Sequence, residues 1–154
     1  MEIVVVTGTP CTGKTSYAKK LCVSKKYFYF DVNDFIKSHK LHSGFDKKYG
    51  SFIVNIGELV SSLEKNIKSM KKSKSFKGKF KGVVVDSHLS HYISPKIADL
   101  CVVMKCDLKK LKKRLIKRKY SKAKIDENME AEIFDICLIE AKEIRHNVKV
   151  VRSD

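Results

Sequence analysis

The sequence lacks the apolar segments that membrane spans and secretory leaders require. No apolar run approaches the ~18 residues of a transmembrane helix. Residues 2–6 lead directly into a glycine-containing loop, without the basic start and small-residue cleavage site of a signal peptide. We therefore expect a soluble, cytoplasmic protein without a membrane partner.

The cysteines lack the spacing of a zinc site or a disulfide framework. There are five, which is an odd number, and no two form a Cys-x-x-Cys pair. We expect reduced thiols, as is usual in cytosolic proteins.

Acidic residues are scarce relative to basic ones. The 33 basic and 17 acidic residues give a formal net charge of +16. The excess is concentrated in residues 65–81 and 105–124. Such charge attracts polyanions and carries no information about the fold. Each basic run is therefore either a solvated face or a surface that binds RNA.

Strand-like and helix-like segments alternate along the 154 residues, which predicts a single α/β domain. Short β-branched or aromatic runs predict five strands, at 2–7, 27–30, 82–86, 100–105 and 148–151. Apolar residues at helical spacing predict helices at 14–22, 32–40, 57–70, 108–115 and 127–145. Residues 71–82 read as an exposed loop or a frayed helix end. The alternation predicts a five-stranded parallel sheet between two helical layers, with right-handed crossovers. In the last helix, the residues predicted to be buried are Ile133, Ile136, Cys137, Ile139 and Ile144.

Residues 8–15, Gly-Thr-Pro-Cys-Thr-Gly-Lys-Thr, match the phosphate-binding pattern G-x-x-x-x-G-K-[ST]. Its glycines let successive backbone N–H groups turn toward an anion, and the next helix points its positive end at the same anion. We expect Lys14 to reach the β- and γ-phosphates and Thr15 to help hold Mg²⁺. Because the match follows a predicted buried strand and begins a predicted helix, it predicts ATP binding.

Two further elements of phosphoryl transfer can be placed. Asp86 ends the run 83–85, at the strand end where α/β proteins bind ligands, and is the candidate second group for Mg²⁺. His88 follows two residues later, with either a catalytic or a structural role. Arg114 and Arg118, one helical turn apart, are the candidates for stabilising transition-state charge.

Taken together, these motifs resemble the adenylate kinase isoenzyme 6 family from residue 3 to about residue 145. The resemblance rests on residues 7–10, 86–88, 114–115, 118–121 and 128–132. Members of that family are small nucleotide kinases and ATPases, also known as ribosome-assembly factors, with a P-loop nucleoside-monophosphate-kinase fold.

The resemblance implies roles for individual residues. It implies that Arg118 reaches the nucleotide from a lid at about 117–127, and that His88 affects turnover. It implies an acceptor-nucleotide region near 31–54, with Asp31, Asp34 and Lys37 as candidate ligands. The implied ATP site consists of Gly8, Cys11, Thr12, Gly13, Lys14, Thr15 and Ser16.

Three residues depart from the family pattern. Cys11 and Lys119 stand where the family usually has glycine. Lys37 stands where it usually has arginine, which removes bidentate phosphate recognition.

Three functions are consistent with the sequence. The leading hypothesis is a kinase that transfers the ATP γ-phosphoryl group to AMP or a related nucleoside monophosphate. It includes ATPase activity and a role in the maturation of the small ribosomal subunit and its rRNA. The alternative is an ATPase switch that binds rRNA or a small-subunit ribosomal protein of the uS11 type, with little kinase activity. The third is a nucleic-acid-binding module with a vestigial nucleotide site, which the intact loop disfavours.

Overall fold

The computed structural model describes residues 1–153, which form seven β-strands and seven α-helices. The strands are β1 (Glu2–Thr7), β2 (Tyr27–Asp31), β3 (Gly44–Asp46), β4 (Ser51–Ile53), β5 (Gly82–Asp86), β6 (Leu100–Lys105) and β7 (Val148–Arg152). The helices are α1 (Lys14–Lys25), α2 (Val32–Ser38), α3 (Ile56–Lys72), α4 (Lys74–Lys79), α5 (Leu108–Lys117), α6 (Lys122–Ile133) and α7 (Ile136–Glu143). None of the helices within residues 1–153 is long and apolar enough to cross a membrane.

The predicted five-stranded parallel sheet is confirmed, with the strand order β2-β5-β1-β6-β7. The central strand β1 is buried on both faces, which explains its unbroken β-branched sequence. Parallel strands end at the same edge, so Val6 and Asp31 both pair with Asp86 in register. The sheet thereby brings the carboxyl ends of β1, β2 and β5 together.

A hairpin that the sequence analysis did not predict lies between α2 and α3. Strands β3 and β4 pair antiparallel, with Phe45 opposite Phe52. Three-residue strands are too short to show a two-residue periodicity, so the sequence pattern carried no signal. The Asp46 carboxylate stabilises the turn by accepting hydrogen bonds from the backbone N–H groups of Lys48 and Tyr49, at 2.9 and 3.3 Å.

The prediction of one helix at residues 127–145 is wrong. Helix α6 begins at Lys122 and ends at Ile133, and α7 begins at Ile136. Asp135 interrupts them with a left-handed backbone (φ +53°), and its carboxylate lies 2.5 Å from the Lys105 ammonium. The break changes the direction of the apolar face. As a result, three isoleucines predicted to be buried are 53%, 41% and 47% exposed: Ile133, Ile136 and Ile139.

The remaining helices differ from prediction mainly at their ends. Residues 74–79, predicted as a loop or frayed end, form the short helix α4, with Ser73 as its N-cap. On α5, Leu111 and Leu115 are buried as expected, whereas Leu108 in the first turn is exposed.

Candidate active site

A cleft of about 1280 Å³ opens at the carboxyl edge of the parallel sheet. The loop between β1 and α1 and the segment after β5 form its floor. Helix α2 and the β3–β4 hairpin line one side, and the α5–α6 connection lines the other. The cleft therefore lies where the strand ends bring the predicted phosphate-binding groups together.

The loop at 8–13 has the backbone of a phosphate cradle. Gly8 and Gly13 have φ angles of +138° and +92°, and a Cβ at Gly8 would lie 2.6 Å from the Met104 carbonyl oxygen. The carbonyl oxygen of Thr9 accepts hydrogen bonds from Thr12 Oγ1 at 2.7 Å and from Lys14 Nζ at 3.0 Å. Burial lowers the pKa of Lys14, and the charge of Asp86 opposes that shift. The Lys14 ammonium is thus held over the cradle.

Cys11 and Lys119, which the resemblance implies stand in place of glycines, both have a backbone in the left-handed region that favours glycine. Their φ angles are +68° and +57°. A side chain in this left-handed region costs roughly 1–2 kcal/mol. Both positions therefore carry local strain that a glycine would not have.

Arg114 is hydrogen-bonded to the phosphate loop and to Ser153. Its Nη1 donates to the carbonyl oxygen of Cys11 at 3.2 Å and to Ser153 Oγ at 3.0 Å, and its Nη2 donates to the carbonyl oxygen of Ser153 at 3.0 Å. Arg118 is exposed, lines the cleft, and has a pKa raised by a hydrogen bond with Tyr120. Both candidate arginines line the cleft, but Arg114 is held by the Cys11 carbonyl oxygen and Ser153, whereas Arg118 is exposed.

Asp86 and Thr15 form the second part of the floor. Thr15 Oγ1 donates to Asp86 Oδ2 at 2.7 Å, and the Tyr29 hydroxyl donates to the same oxygen at 2.8 Å. Among residues 1–153, no group of three or more His, Cys, Asp or Glu side chains could hold a metal ion. Mg²⁺ does not need such a group, because it usually binds one or two protein oxygens together with substrate phosphates and water. The Thr15 hydroxyl and the Asp86 carboxylate fit a site of that kind.

His88 lies in the cleft beside these groups. Its ring is exposed to cleft solvent, yet protein surrounds it on most sides. This partial loss of water, followed by the positive charge of Lys14, lowers the pKa of His88 to about 4. The imidazole is therefore neutral at pH 7.

The predicted acceptor residues occupy the opposite wall, with one exception. Asp31 and Lys37 line the cleft, and Asp31 also caps α2 by accepting a hydrogen bond from the Asp34 backbone N–H at 3.2 Å. The Asp34 side chain is exposed and does not line the cleft, whereas Asn33 does. The Lys37 ammonium lies 5.9 Å from the centre of the Phe52 ring.

Similarity to known proteins agrees with this geometry. The family model described as AAA domain matches residues 4–135. An adenylate kinase isoenzyme 6 homolog from Schizosaccharomyces pombe is 37% identical over 140 residues, covering 91% of this chain and 74% of the relative. The chain belongs to the adenylate kinase isoenzyme 6 family. A further relative, from Pyrococcus furiosus, is 40% identical over 147 residues, covering 95% of this chain and 72% of the relative.

Solved structures show the same fold at low sequence identity. Shikimate kinase from Acinetobacter baumannii in complex with shikimate superposes with a TM-score of 0.57 at 8% identity, covering all of this chain and 84% of that one. A sugar kinase from Janibacter sp. HTCC2649 gives a TM-score of 0.58 at 13% identity, covering 98% and 84%. As predicted, this member of the adenylate kinase isoenzyme 6 family is an enzyme with the P-loop kinase fold.

Sequence reasoning missed two sets of residues at the site. One is Tyr29, whose contact with Asp86 depends on the pairing of β2 with β5. The other is a chain of polar groups that begins at the buried Thr7 and His91 and ends at the partly exposed Glu140: Thr7 Oγ1 lies 2.7 Å from His91 Nδ1, and His91 Nε2 lies 2.8 Å from Glu140 Oε2. This chain ties α7 to the end of β1. In the sequence, the only indication of these contacts is that His91 lies three residues after His88.

Proposed function

We propose that this kinase transfers the γ-phosphoryl group of ATP to a nucleoside monophosphate, with AMP preferred, and that it also hydrolyses ATP. The observation that carries the proposal is the 2.7 Å contact between Thr15 Oγ1 and Asp86 Oδ2, beneath the Lys14 cradle. The cleft above this contact has two walls, enough for a donor and an acceptor nucleotide.

The donor phosphates belong on the cradle. Backbone N–H groups of the loop and the positive end of α1 face the same space. Lys14 adds a point charge, and because burial has already removed part of its hydration, a bound anion replaces that hydration at little further cost.

Thr15 and Asp86 would hold Mg²⁺, which when bound would supply positive charge against the negative charge that develops during transfer. The two hydrogen bonds to Asp86 Oδ2 orient the carboxylate, which leaves Oδ1 available to a ligand.

His88 and Arg118 complete the donor side. In ATP hydrolysis, a neutral His88 imidazole can accept a hydrogen bond from the attacking water and thereby orient it. Arg118 can meet the negative charge on the equatorial oxygens of the transferred group. On the acceptor wall, Lys37 supplies a single ammonium in place of a bidentate guanidinium, so the acceptor phosphate is held less rigidly.

The test is a coupled assay of Lys14→Ala, with ATP–Mg²⁺ alone and with AMP, dAMP, CMP, UMP or GMP. Loss of the Lys14 charge should cost a few kcal/mol of transition-state stabilisation, a fall of at least ~100-fold in turnover. Lys68→Ala, an exposed lysine on α3 outside the cleft, is the matched control. Near-wild-type turnover by a folded Lys14→Ala protein would refute the proposal.

A second candidate function is an ATPase switch that acts on rRNA or a small-subunit ribosomal protein of the uS11 type, in cytoplasmic ribosome maturation. The favouring observation is the basic surface at the end of α3 and in α4, where exposed lysines lie outside the cleft: Lys68, Lys72, Lys74, Lys77 and Lys79. The same assay separates the candidates. ATP hydrolysis that is not accompanied by transfer to any of the five acceptors would favour the switch.

A further inference from the structure

The turn that carries His88 is attached to the end of β1 on both sides. Before His88, the Ser87 backbone N–H donates to the carbonyl oxygen of Val6 at 3.2 Å. After it, the side chain of His91 contacts Thr7, with 2.7 Å between Nδ1 and Oγ1. Val6 and Thr7 are the last two residues of β1, and their backbone pairs with β6 in the sheet. The position of His88 therefore depends on how these contacts hold the turn.

Partner chemistry assigns the hydrogens of the buried His91 ring. Its Nε2 lies 2.8 Å from Glu140 Oε2, and because a carboxylate only accepts, Nε2 carries a hydrogen. Burial lowers the pKa of His91, although the nearby Glu140 carboxylate opposes that shift, so the ring is neutral at pH 7. Nδ1 is then an acceptor for the Thr7 hydroxyl. One tautomer therefore satisfies both ring nitrogens, in a residue that is 1% exposed.

Helix α7 orients the His91 ring through the Glu140 carboxylate. Oε1 accepts a hydrogen bond from the Tyr92 hydroxyl at 2.9 Å, while Oε2 accepts from His91 Nε2. Burial, followed by the contact with Glu140, raises the pKa of Tyr92 to about 12, so its hydroxyl remains a donor near pH 7. With a donor on each oxygen, the carboxylate has a single favoured orientation.

The backbone of the turn is held separately from the His91 ring. Ser90 Oγ lies 2.9 Å from the carbonyl oxygens of both Val6 and Ser87. The carbonyl oxygen of His91 accepts a hydrogen bond from His146 Nε2 at 2.7 Å. These contacts do not involve the His91 imidazole, so replacement of that ring removes one attachment of the turn and leaves the others.

A stable core does not require a polar pair at this position. Apolar side chains of the same shape often stabilise a buried site as well as a hydrogen-bonded pair does. Unlike apolar contacts, the two hydrogen bonds of His91 are directional, so they fix the orientation of its ring and the end of the turn. His91, Tyr92 and Glu140 also line the cleft that contains His88. The pair is thus placed to act on the geometry of the cleft rather than on stability alone.

We propose that His91 and Glu140 are positioning residues for ATP hydrolysis, which act through Thr7 to hold the turn where the His88 imidazole contacts the attacking water. The inference rests on the proposed function, in which His88 orients that water. Misplacement of an orienting group by about 1 Å can cost about 100-fold in rate. Transfer to AMP depends less on this arrangement, because its nucleophile is a phosphate oxygen held by the proposed acceptor wall.

Three substitutions separate the contacts of the pair. His91→Asn places an amide near the position of Nδ1, within reach of Thr7, and loses the contact with Glu140. His91→Gln places its amide near the position of Nε2, within reach of Glu140, and loses the contact with Thr7. Glu140→Gln leaves one acceptor oxygen for two donors. Glu64→Gln is the matched control, because the Glu64 carboxylate accepts from the Ser94 backbone N–H at 2.8 Å and lies outside the cleft.

The measurement is steady-state kinetics of ATP hydrolysis and of transfer to AMP, with urea unfolding to establish that each variant is folded. His91→Gln should lower kcat for hydrolysis about 10- to 100-fold, with KM for ATP within about twofold of the wild type. His91→Asn and Glu140→Gln should lower it about 3- to 10-fold. Transfer to AMP should fall less than hydrolysis in all of these variants, and Glu64→Gln should match the wild type.

A double-mutant cycle shows whether His91 acts through His88. In a His88→Gln background, His91→Gln should lower hydrolysis by less than about twofold more, because the group that it positions is already absent. Fully additive losses would overturn the proposal, as would equal losses of hydrolysis and transfer, since either outcome would mean that the pair does not act through His88. If His91→Gln does not fold, Glu140→Gln in the same cycle decides between these outcomes.

The proposed function fails in a different way. A wild type that neither hydrolyses ATP nor transfers phosphate to AMP would overturn it, and unchanged hydrolysis by His88→Gln would overturn the role of His88. The inference would fall with either result. Unchanged hydrolysis in His91→Gln and Glu140→Gln, together with a loss in His88→Gln, would overturn the inference alone.

Discussion

Replacement of Tyr29 by phenylalanine should weaken Mg²⁺ binding at the proposed Thr15–Asp86 site without unfolding the protein. The substitution removes one hydroxyl, which donates to Asp86 Oδ2 at 2.8 Å, and leaves the ring in place. Thr15 still donates to the same oxygen at 2.7 Å, so the buried carboxylate keeps a partner but loses one of the two groups that orient it.

The expected magnitude follows from the kind of hydrogen bond. A bond to a charged acceptor contributes about 1.5–3 kcal/mol, and 1.4 kcal/mol corresponds to a factor of ten. Removing a group that orients a metal ligand typically reduces metal affinity about 10- to 100-fold. Since Thr15 remains, we expect an effect at the lower end of that range. The Mg²⁺ concentration that half-saturates ATP turnover should rise roughly tenfold.

Tyr27→Phe is a closely matched control on the same strand. The Tyr27 hydroxyl also donates to a carboxylate, that of Glu2, but it lies at the opposite end of β2, outside the cleft. Burial and the Glu2 contact raise the pKa of Tyr27 to about 12. Burial and the hydrogen bond to Asp86 also raise the pKa of Tyr29. Both hydroxyls therefore stay neutral donors near pH 7. Both variants should stay folded in urea titrations, with the larger loss of unfolding free energy in Tyr29→Phe, because Asp86 is buried whereas the Glu2 side chain is 37% exposed.

Only Tyr29→Phe should shift the Mg²⁺ dependence, measured by calorimetry of ATP binding at several Mg²⁺ concentrations and by turnover. Equal Mg²⁺ dependence in the wild type and both variants would show that Tyr29 is only structural.

Two further predictions concern pH and salt. The folded-state pKa of His88 is lowered to about 4, below the ordinary 6.5, so protonation favours the unfolded chain as pH falls from about 6.5 toward 4. Urea unfolding at pH 7 and pH 5 should therefore show a smaller loss of stability in His88→Gln than in the wild type; an equal loss would contradict the shift. If the α3–α4 lysines bind RNA, the logarithm of the affinity for single-stranded RNA should fall with the logarithm of the salt concentration, with a slope of about −0.7 per phosphate neutralised. Replacing four of these lysines with serine should make that slope shallower, without changing ATPase activity in the absence of RNA. The four positions are Lys71, Lys72, Lys74 and Lys77. An unchanged slope would show that the lysines at the end of α3 and in α4 are only solvated and do not bind RNA.

The phosphate loop and the elements on either side of it could be predicted from a short stretch of consecutive residues. A strand buried on both faces, two glycines and a helix start are all encoded within residues 2–15, because a phosphate cradle uses successive backbone N–H groups. Asp86 was also predictable, since parallel strands end at one edge and a run ending in an acid places that acid there. The alternation of elements then predicted the five-stranded sheet, which the strand pairing confirms.

Only the tertiary structure decided which partners the side chains take. The contacts of Tyr29 with Asp86, Arg114 with Ser153, and Ser121 with Lys48 span 57, 39 and 73 residues. A tyrosine, arginine or serine can bond many groups, and strand pairing and helix packing select among them. The same holds for the break between α6 and α7. The local apolar spacing suits one long helix, but the Asp135 carboxylate pairs with Lys105 at the end of β6, and the backbone turns there.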